Sequence, residues 1–405
     1  MSITVRAGTT LDDLRAGMAP IWHYFGHNAP HDEQVNFFRR VMAPERVHVA
    51  LEDGGVVGAA AAFAFEPTVP GGRIAAAGVT MVAVLPTHRR RGVLGGMMRA
   101  QLDACRERRE CVAYLWATED TIYDRFGYGI ASMSAEIDLP KDRSRFHGEP
   151  QAPASTRLVE LKQALPFVAP VYERAARATP GMFARSNDWW QVRLLIDPPW
   201  RRGDQGDLQC AVLELEGAPA AYALYRHRVA FDRGVQTGSV NVVEAIGSSP
   251  QATYAIWRYL CDIDWMAHIK AALLPVDHPL LLLVAEPRRL RFSIRDGLWV
   301  RLVDVGAALA ARSYEAVDPI VVEVDDAFCP WNAGRWRIGP AGVARTNEPA
   351  DVRCNVNALG SVYLGGFTWS ELARALRIEE LKPAAVRRAD RLFRRECAPW
   401  CPEIF

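Results

Sequence analysis

The chain lacks an excess of charge of either sign. Its 405 residues carry 48 Lys and Arg against 47 Asp and Glu, a formal net charge of +1, so no global basic field draws it to nucleic acid. It also lacks close cysteine pairs. Eight cysteines (Cys105, Cys111, Cys210, Cys261, Cys329, Cys354, Cys397, Cys401) contain no C-x-x-C. Zinc needs closely spaced ligand pairs, and Cys397 and Cys401 have no matching pair nearby, so no metal is expected. Buried free thiols in a reducing cytoplasm are the expectation, with a disulfide across one helical turn at 397/401 as the alternative. A long unbroken apolar run is missing too. The longest, around residues 271–285, is interrupted by Pro275, Asp277, His278 and Pro279, so no simple membrane span is expected. The opening MSITVRAGTTLDDL is polar and charged early and has no secretory pattern. Together these absences point to a soluble cytoplasmic protein.

What is present is a large apolar fraction, 50% of residues, with 23% charged, as in folded globular proteins. The length exceeds what one core usually organises, so two or three domains are expected. Residues 3–140 alternate short strands with helices, including two strands joined at Gly54-Gly55, a buried strand at CVAYLWA and a short helix ended by Gly127. Residues 141–157, KDRSRFHGEPQAPASTR, are polar with two prolines and read as a linker. A second α/β unit follows, with a similar order of elements. From about Gly297 the pattern changes to strands with a late helical region, a smaller α+β domain. The chain ends in CAPWCPEIF. Chain ends are usually polar and loose; this apolar one is expected to be tied into the fold.

The most informative stretch is residues 79–98, VTMVAVLPTHRRRGVLGGMM. It reads as a buried strand, a proline stop, three arginines, and a glycine that opens a helix. Glycine lets the backbone come close to a ligand, and the first helical N–H groups point outward without partners. The helix dipole adds partial positive charge there, so a phosphate or pyrophosphate is the expected guest. The second unit has no such arginine run, and no phosphate socket is expected in it.

At Arg89-Arg90-Arg91-Gly92-Val93-Leu94 the chain resembles the GNAT N-acetyltransferases, whose acetyl-CoA loop runs R-x-x-G-x-G/A; leucine replaces the last small residue. P-T-H-R-R-R-G-V-L followed by I-Y-D-R-F-G-Y-G is similar to one branch, the enhanced intracellular survival (Eis) family. The likeness extends over the whole chain, through D-G-L-W-V-R-L, L-G-S-V-Y-L-G-G and the terminal phenylalanine. It implies an α/β and α+β multidomain fold: a catalytic GNAT domain over residues 1–150, a degenerate GNAT-like domain over 151–296, and a sterol-carrier-like domain over 297–405 whose C-terminus reaches the first domain's active site. It also implies a homo-oligomer, a hexamer.

The same resemblance implies a set of roles. Val82, Ala83 and Val84 would offer backbone groups to the pantetheine arm of acetyl-CoA as though it were an added strand. Arg89, Arg90, Arg91, Gly92, Val93, Leu94 and Gly95 would wrap the pyrophosphate. Thr118 and Glu119 would lie near the acetyl group or the pantetheine. Tyr123 would act as general acid, protonating the departing CoA thiolate; a phenol with a pKa of about 10 stays a donor at neutral pH. The base would be the α-carboxylate of Phe405. Its ordinary pKa of about 3.5 is low for that task, and burial beside Trp400, Ile404 and its own ring would raise it. On the residues alone, Tyr123 and Tyr128 read equally as packing aromatics, and only the motif match separates them.

The acceptor implied by the family is an amine, aminoglycosides and lysine side chains included. A polycationic acceptor needs acidic residues around the cleft. Here Ile404 precedes the last residue, and Asp32 and Glu33 follow the histidine-rich WHYFGHNAPH segment, a departure from an acidic pocket. His23, His27 and His31 share helical spacing, but Gly26 and Pro30 argue against one helix, so they read as surface or cleft residues rather than metal ligands. Three readings remain open: an acetyltransferase for small amines such as aminoglycosides, one for protein, peptide or biosynthetic amines, and a lipid-binding or scaffolding protein with an idle transferase site.

Overall fold

Asp53 and Gly54 both take left-handed backbone, φ +50° and +80°, the geometry of a tight hairpin turn whose twist matches its strands. They join Val47–Glu52 to Gly55–Phe65, so the turn centres one residue before the Gly54-Gly55 expected above. In the computed structural model, which describes residues 3–27, 30–148 and 154–405, this hairpin lies in one of two compact units. The first comprises Met1–Ser132, Gly297–Pro399 and Ile404–Phe405; the second comprises Met133–Asp296 and Trp400–Glu403.

The main sheet of the first unit runs Thr4–Ala7, Val47–Glu52, Gly55–Phe65, Ala76–Val84, Val112–Trp116, Leu298–Leu302, Gly129–Ile130. All neighbours are antiparallel except Ala76–Val84 with Val112–Trp116. That one parallel pair needs a crossover, supplied by the helix Val93–Glu107, whose apolar face carries Met97, Met98, Leu102 and Cys105. Val112–Leu115 are all buried, which explains the unalternating pattern of CVAYLWA. The segment expected to be a short helix before Gly127 is a single tight turn, Asp124–Phe126, with Gly127 at φ +85°.

A five-stranded sheet in the same unit runs Gly342–Arg345, Gly334–Gly339, Ile320–Asp325, Val352–Asn355, Ile378–Glu380. The helix Val356–Tyr363, which contains most of L-G-S-V-Y-L-G-G, is buried at every position. A helix buried on every face needs cover all round, and it contacts both Leu298–Leu302 and Val352–Asn355, while its polar Asn357 donates to the Tyr128 carbonyl at 2.9 Å.

The second unit repeats the plan: Ala154–Leu158, Gln209–Leu215, Ala218–Arg228, Ser239–Gly247, His268–Pro275, Met133–Pro140, Ser293–Asp296. Again one pair is parallel, Ser239–Gly247 with His268–Pro275, and the helix Pro250–Asp262 makes the crossover, burying Ile256, Trp257 and Leu260. Of the stretch read as linker, residues 149–153 lie outside the described residues, and Ala154–Leu158, which begins within it and ends one residue past it, is an edge strand paired with Gln209–Leu215. All five of its residues are exposed, so no alternation marks it in the sequence. All eight cysteines are free thiols, six of them buried.

Candidate active site

Ala76–Val84 and Val112–Trp116 run side by side for only three rungs, Ala76↔Val112, Ala77↔Ala113 and Gly78↔Tyr114. Beyond that rung the two strands no longer pair, and a wedge opens between them. Met81, at φ +52°, marks a bulge where Met81 and Val82 together oppose Ala60; bulges re-aim a strand next to a site. Val82, Ala83 and Val84 form one side of the wedge. The Val84 carbonyl accepts a hydrogen bond from the Tyr24 hydroxyl at 2.7 Å, a contact with no signal in the sequence.

At the end of that strand the chain turns through Pro86–His88 and exposes Arg89, Arg90, Arg91 and Gly92. Arg90 and Gly92 both sit at positive φ, +62° and +80°. Gly92 caps the helix Val93–Glu107 from left-handed backbone and offers no side chain to its first N–H groups, so those donors stay open to a ligand. A Cβ at Gly92 or at Gly95 would meet open space. Arg91 is engaged: it pairs with Glu52, which also takes a bond from His88 Nε2 at 2.8 Å. The Arg91 guanidinium, and to a lesser degree His88, hold the Glu52 carboxyl below its usual range. Arg91 thus braces the loop, while Arg89 and Arg90 lie on its outer face. Leu94, the departure from the small-residue pattern, packs against two apolar clusters, and Gly95 supplies the small residue one position on. These residues fit a pyrophosphate: open backbone donors at the start of a four-turn helix, an unobstructed glycine approach, and cations beside it.

Thr118 and Glu119 are exposed in the bend that follows Val112–Trp116. Tyr123 comes next, and it packs with Val79, Leu115, Ala77 and Leu102 on the face of the sheet covered by the crossover helix. Burial pushes its phenol up to about 12, with Glu119 adding to the effect. Tyr128 lies edge-on to it at 5.8 Å but is fully buried, whereas Tyr123 keeps 8% of its surface exposed. Of the two tyrosines, Tyr123 is the one that reaches an accessible surface.

Phe405 sits at the apex of the wedge. Its ring lies 5.0 Å from that of Phe65 and 5.1 Å from that of Tyr114, edge-on to both. A Cβ at Gly78 would come within 3.3 Å of the Phe405 ring and would collide with Phe65. The terminal residue is therefore seated on the last paired rung, Gly78↔Tyr114. Side chains alternate along a strand, so Tyr114 and Leu115 face opposite sides of the sheet. Phe405 then approaches the wedge from one face and Tyr123 from the other. The seat of Phe405, made by Phe65, Gly78 and Tyr114, escaped sequence reasoning; a glycine inside a buried strand, which marks close approach of another group, was the available signal.

His23 lies in the last turn of the helix Leu11–Tyr24, His27 follows in the loop, and His31 caps the helix Asp32–Val41, so they do not share one helical face. Among the described residues no group of three or more His, Cys, Asp or Glu is arranged to hold a metal ion, and no helix is long and apolar enough to cross a membrane.

Comparison with known proteins matches residues 9–131 and 181–302 to acetyltransferase (GNAT) domain families and residues 305–402 to a sterol carrier protein domain. The chain is 40% identical to an uncharacterized N-acetyltransferase of Streptomyces avermitilis, over 97% of this chain and 98% of the relative. It is 33% identical to the N-acetyltransferase Eis of Mycobacterium tuberculosis, over 87% and 88% of the two chains. Among solved structures, Eis1 of Mycobacterium abscessus superposes with a TM-score of 0.86 at 33% identity, covering 99% of this chain and all of that one.

Proposed function

The chain belongs to the Eis family of GNAT N-acetyltransferases, and from that membership we propose that it transfers acetyl from acetyl-CoA to an amine by direct attack, in a catalytic domain over residues 1–150. The observation that carries the reading is the convergence of Phe405 and Tyr123 on one wedge from opposite faces of the sheet. Val82, Ala83 and Val84 hold the pantetheine arm along the open strand edge. Arg89, Arg90 and the backbone from Gly92 to Gly95 bind the pyrophosphate, Arg91 braces that loop through Glu52, and Thr118 and Glu119 flank the reacting end. Acetyl-CoA, when bound, supplies a thioester acetyl group.

The protein's own residues handle two protons. The α-carboxylate of Phe405, the residue whose ring packs against those of Phe65 and Tyr114, takes one from the acceptor nitrogen as that nitrogen bonds to the acetyl carbonyl carbon. The Tyr123 phenol gives one to the sulfur as the C–S bond breaks. Proton transfer by a positioned group contributes about 10²–10⁴-fold. Acceptors belong to the class of primary amines, with aminoglycosides and lysine-containing peptides as the pair to compare. A homohexamer is proposed on the family resemblance, and light scattering tests it.

The deciding experiment measures thiol release from acetyl-CoA with a panel of amines, for the full chain, for Phe405 deleted, and for the chain extended by a C-terminal tag. Turnover is expected to fall at least 10²-fold in both altered proteins. Full activity in the tagged chain would remove the terminal carboxylate from the mechanism. Binding of acetyl-CoA without turnover on any amine would turn the reading toward a scaffold.

A further inference from the structure

The second unit contains a wedge of the same kind. Ser239–Gly247 and His268–Pro275 pair in parallel only from Ser239↔His268 to Val242↔Ala271, and beyond that rung the strands separate. Leu273 takes φ +56°, at a register shift against Met133–Pro140, which turns its carbonyl out of the ladder. In this unit the wedge is filled by the chain's own tail. Trp400 and Pro402 line it together with residues 242–245 and 271–274. The Trp400 backbone N–H donates to Pro180 at 2.8 Å, and its indole N–H donates to the displaced Leu273 carbonyl at 2.5 Å. The tail thus meets the strand edge through a side-chain donor, and its backbone is held at Pro180.

The tail ends its course here on a charge cluster. Both Glu403 carboxylate oxygens accept from Trp189 Nε1 at 3.0 Å. Arg185 reaches Glu403 through Nε at 3.1 Å and Glu244 through two parallel bonds at 2.9 and 2.6 Å. Arg193 stands 3.7 Å away on the other side of Glu403. The Arg185 guanidinium has no exposed surface and lies over the rings of Tyr172 at 3.8 Å and Trp190 at 4.6 Å. Tyr222 donates to Glu244 at 2.5 Å. Desolvating charges is costly unless each is paired and hydrogen-bonded; Glu244 already holds one edge of Arg185, and Glu403 brings a second carboxylate to the same buried guanidinium. The arrangement is a built receptor for one carboxylate of the tail.

We infer that the wedge of the second GNAT-like domain is a docking site for the chain's own terminus, with Glu403 as its latch and as a positioning residue for the terminal carboxylate. Two peptide links join Glu403 to Phe405, a reach of at most about 7 Å. Fixing Glu403 therefore narrows where the carboxylate can go. A base pre-placed in this way needs no ordering during the reaction. The positioning role rests on the Phe405 reading above; the latch itself does not.

The test uses the full chain with Glu403→Gln, which keeps the shape and removes the charge. Hydrogen exchange by mass spectrometry on residues 400–405 reads the latch. Steady-state rates read the positioning. Exchange in the tail is expected to quicken at least tenfold, and kcat to fall at least tenfold while KM for acetyl-CoA stays within twofold. A merely structural role would move thermal stability without that split. Unchanged tail exchange overturns the latch, and faster exchange with unchanged kcat overturns the positioning role. If deleting Phe405 leaves turnover intact, the carboxylate reading fails by itself, and the exchange result still decides the latch. Should Glu403→Gln fail to fold, Trp189→Phe removes one donor to the same carboxylate, and the same two readouts apply.

Discussion

Tyr123 and Tyr128 belong to one motif and pack edge to face, and burial separates them. Burial holds both phenols protonated far above neutrality, Tyr123 up to about 12 and Tyr128 well beyond its ordinary value, but only Tyr123 keeps accessible surface. Tyr123→Phe is expected to lower kcat about 10²-fold with acetyl-CoA binding unchanged, as measured by titration calorimetry and initial rates. With its proton retained to about 12, the donor gives no alkaline fall in kcat below about pH 10. A fall centred in the cysteine range, about 8.5, would assign the proton to another group. The motif was legible as a sequence; the exposure that distinguishes its two tyrosines was not, because neighbouring aromatics have the same composition whichever one faces a cleft.

The loop and helix from Arg89 to Glu107 form the element most fully readable in advance. Proline, arginines and glycine each act through local backbone rules, and those rules hold wherever the segment sits. What the spacing did not reveal was the division of labour: Arg91 is taken by Glu52 from a different strand, a pairing that only the sheet creates. Gly92 sits at φ +80° with open space where a Cβ would go, so Gly92→Ala meets backbone strain alone, about 1–2 kcal/mol. The expected result is a several-fold rise in KM for acetyl-CoA with kcat unchanged, read from initial rates. An unaltered KM would mean that the loop does not hold the pyrophosphate. The edge strand Ala154–Leu158 shows the opposite case. Every side chain on it is exposed, so its partner strand, and nothing in its own sequence, makes it a strand.

Across the whole molecule the buried titratable groups bound the pH range of stability. Burial pushes His48 down to about 4 and His278 down to about 3, against about 6.5 in an unfolded chain. Between those values the unfolded state binds protons that the folded state refuses, so stability falls as pH drops below about 6.5. On the alkaline side, burial raises Tyr128, Tyr172, Tyr222 and Tyr363 well above their ordinary value. Above about pH 10 the unfolded state releases protons that the folded state keeps, and stability falls again. Urea midpoints measured from pH 3 to 11 are expected to form a dome with both shoulders, and His48→Gln is expected to flatten the acid one. By itself the sequence determined the local pieces: the arginine-glycine loop that opens a helix, most of the strand and helix patterns, the tyrosine motif and an apolar tail too costly to leave in water. Tertiary structure alone decided what those pieces meet, since the Gly78↔Tyr114 seat of Phe405 and the Arg185–Glu244 receptor of Glu403 join residues hundreds of positions apart, and no local propensity encodes such a distance.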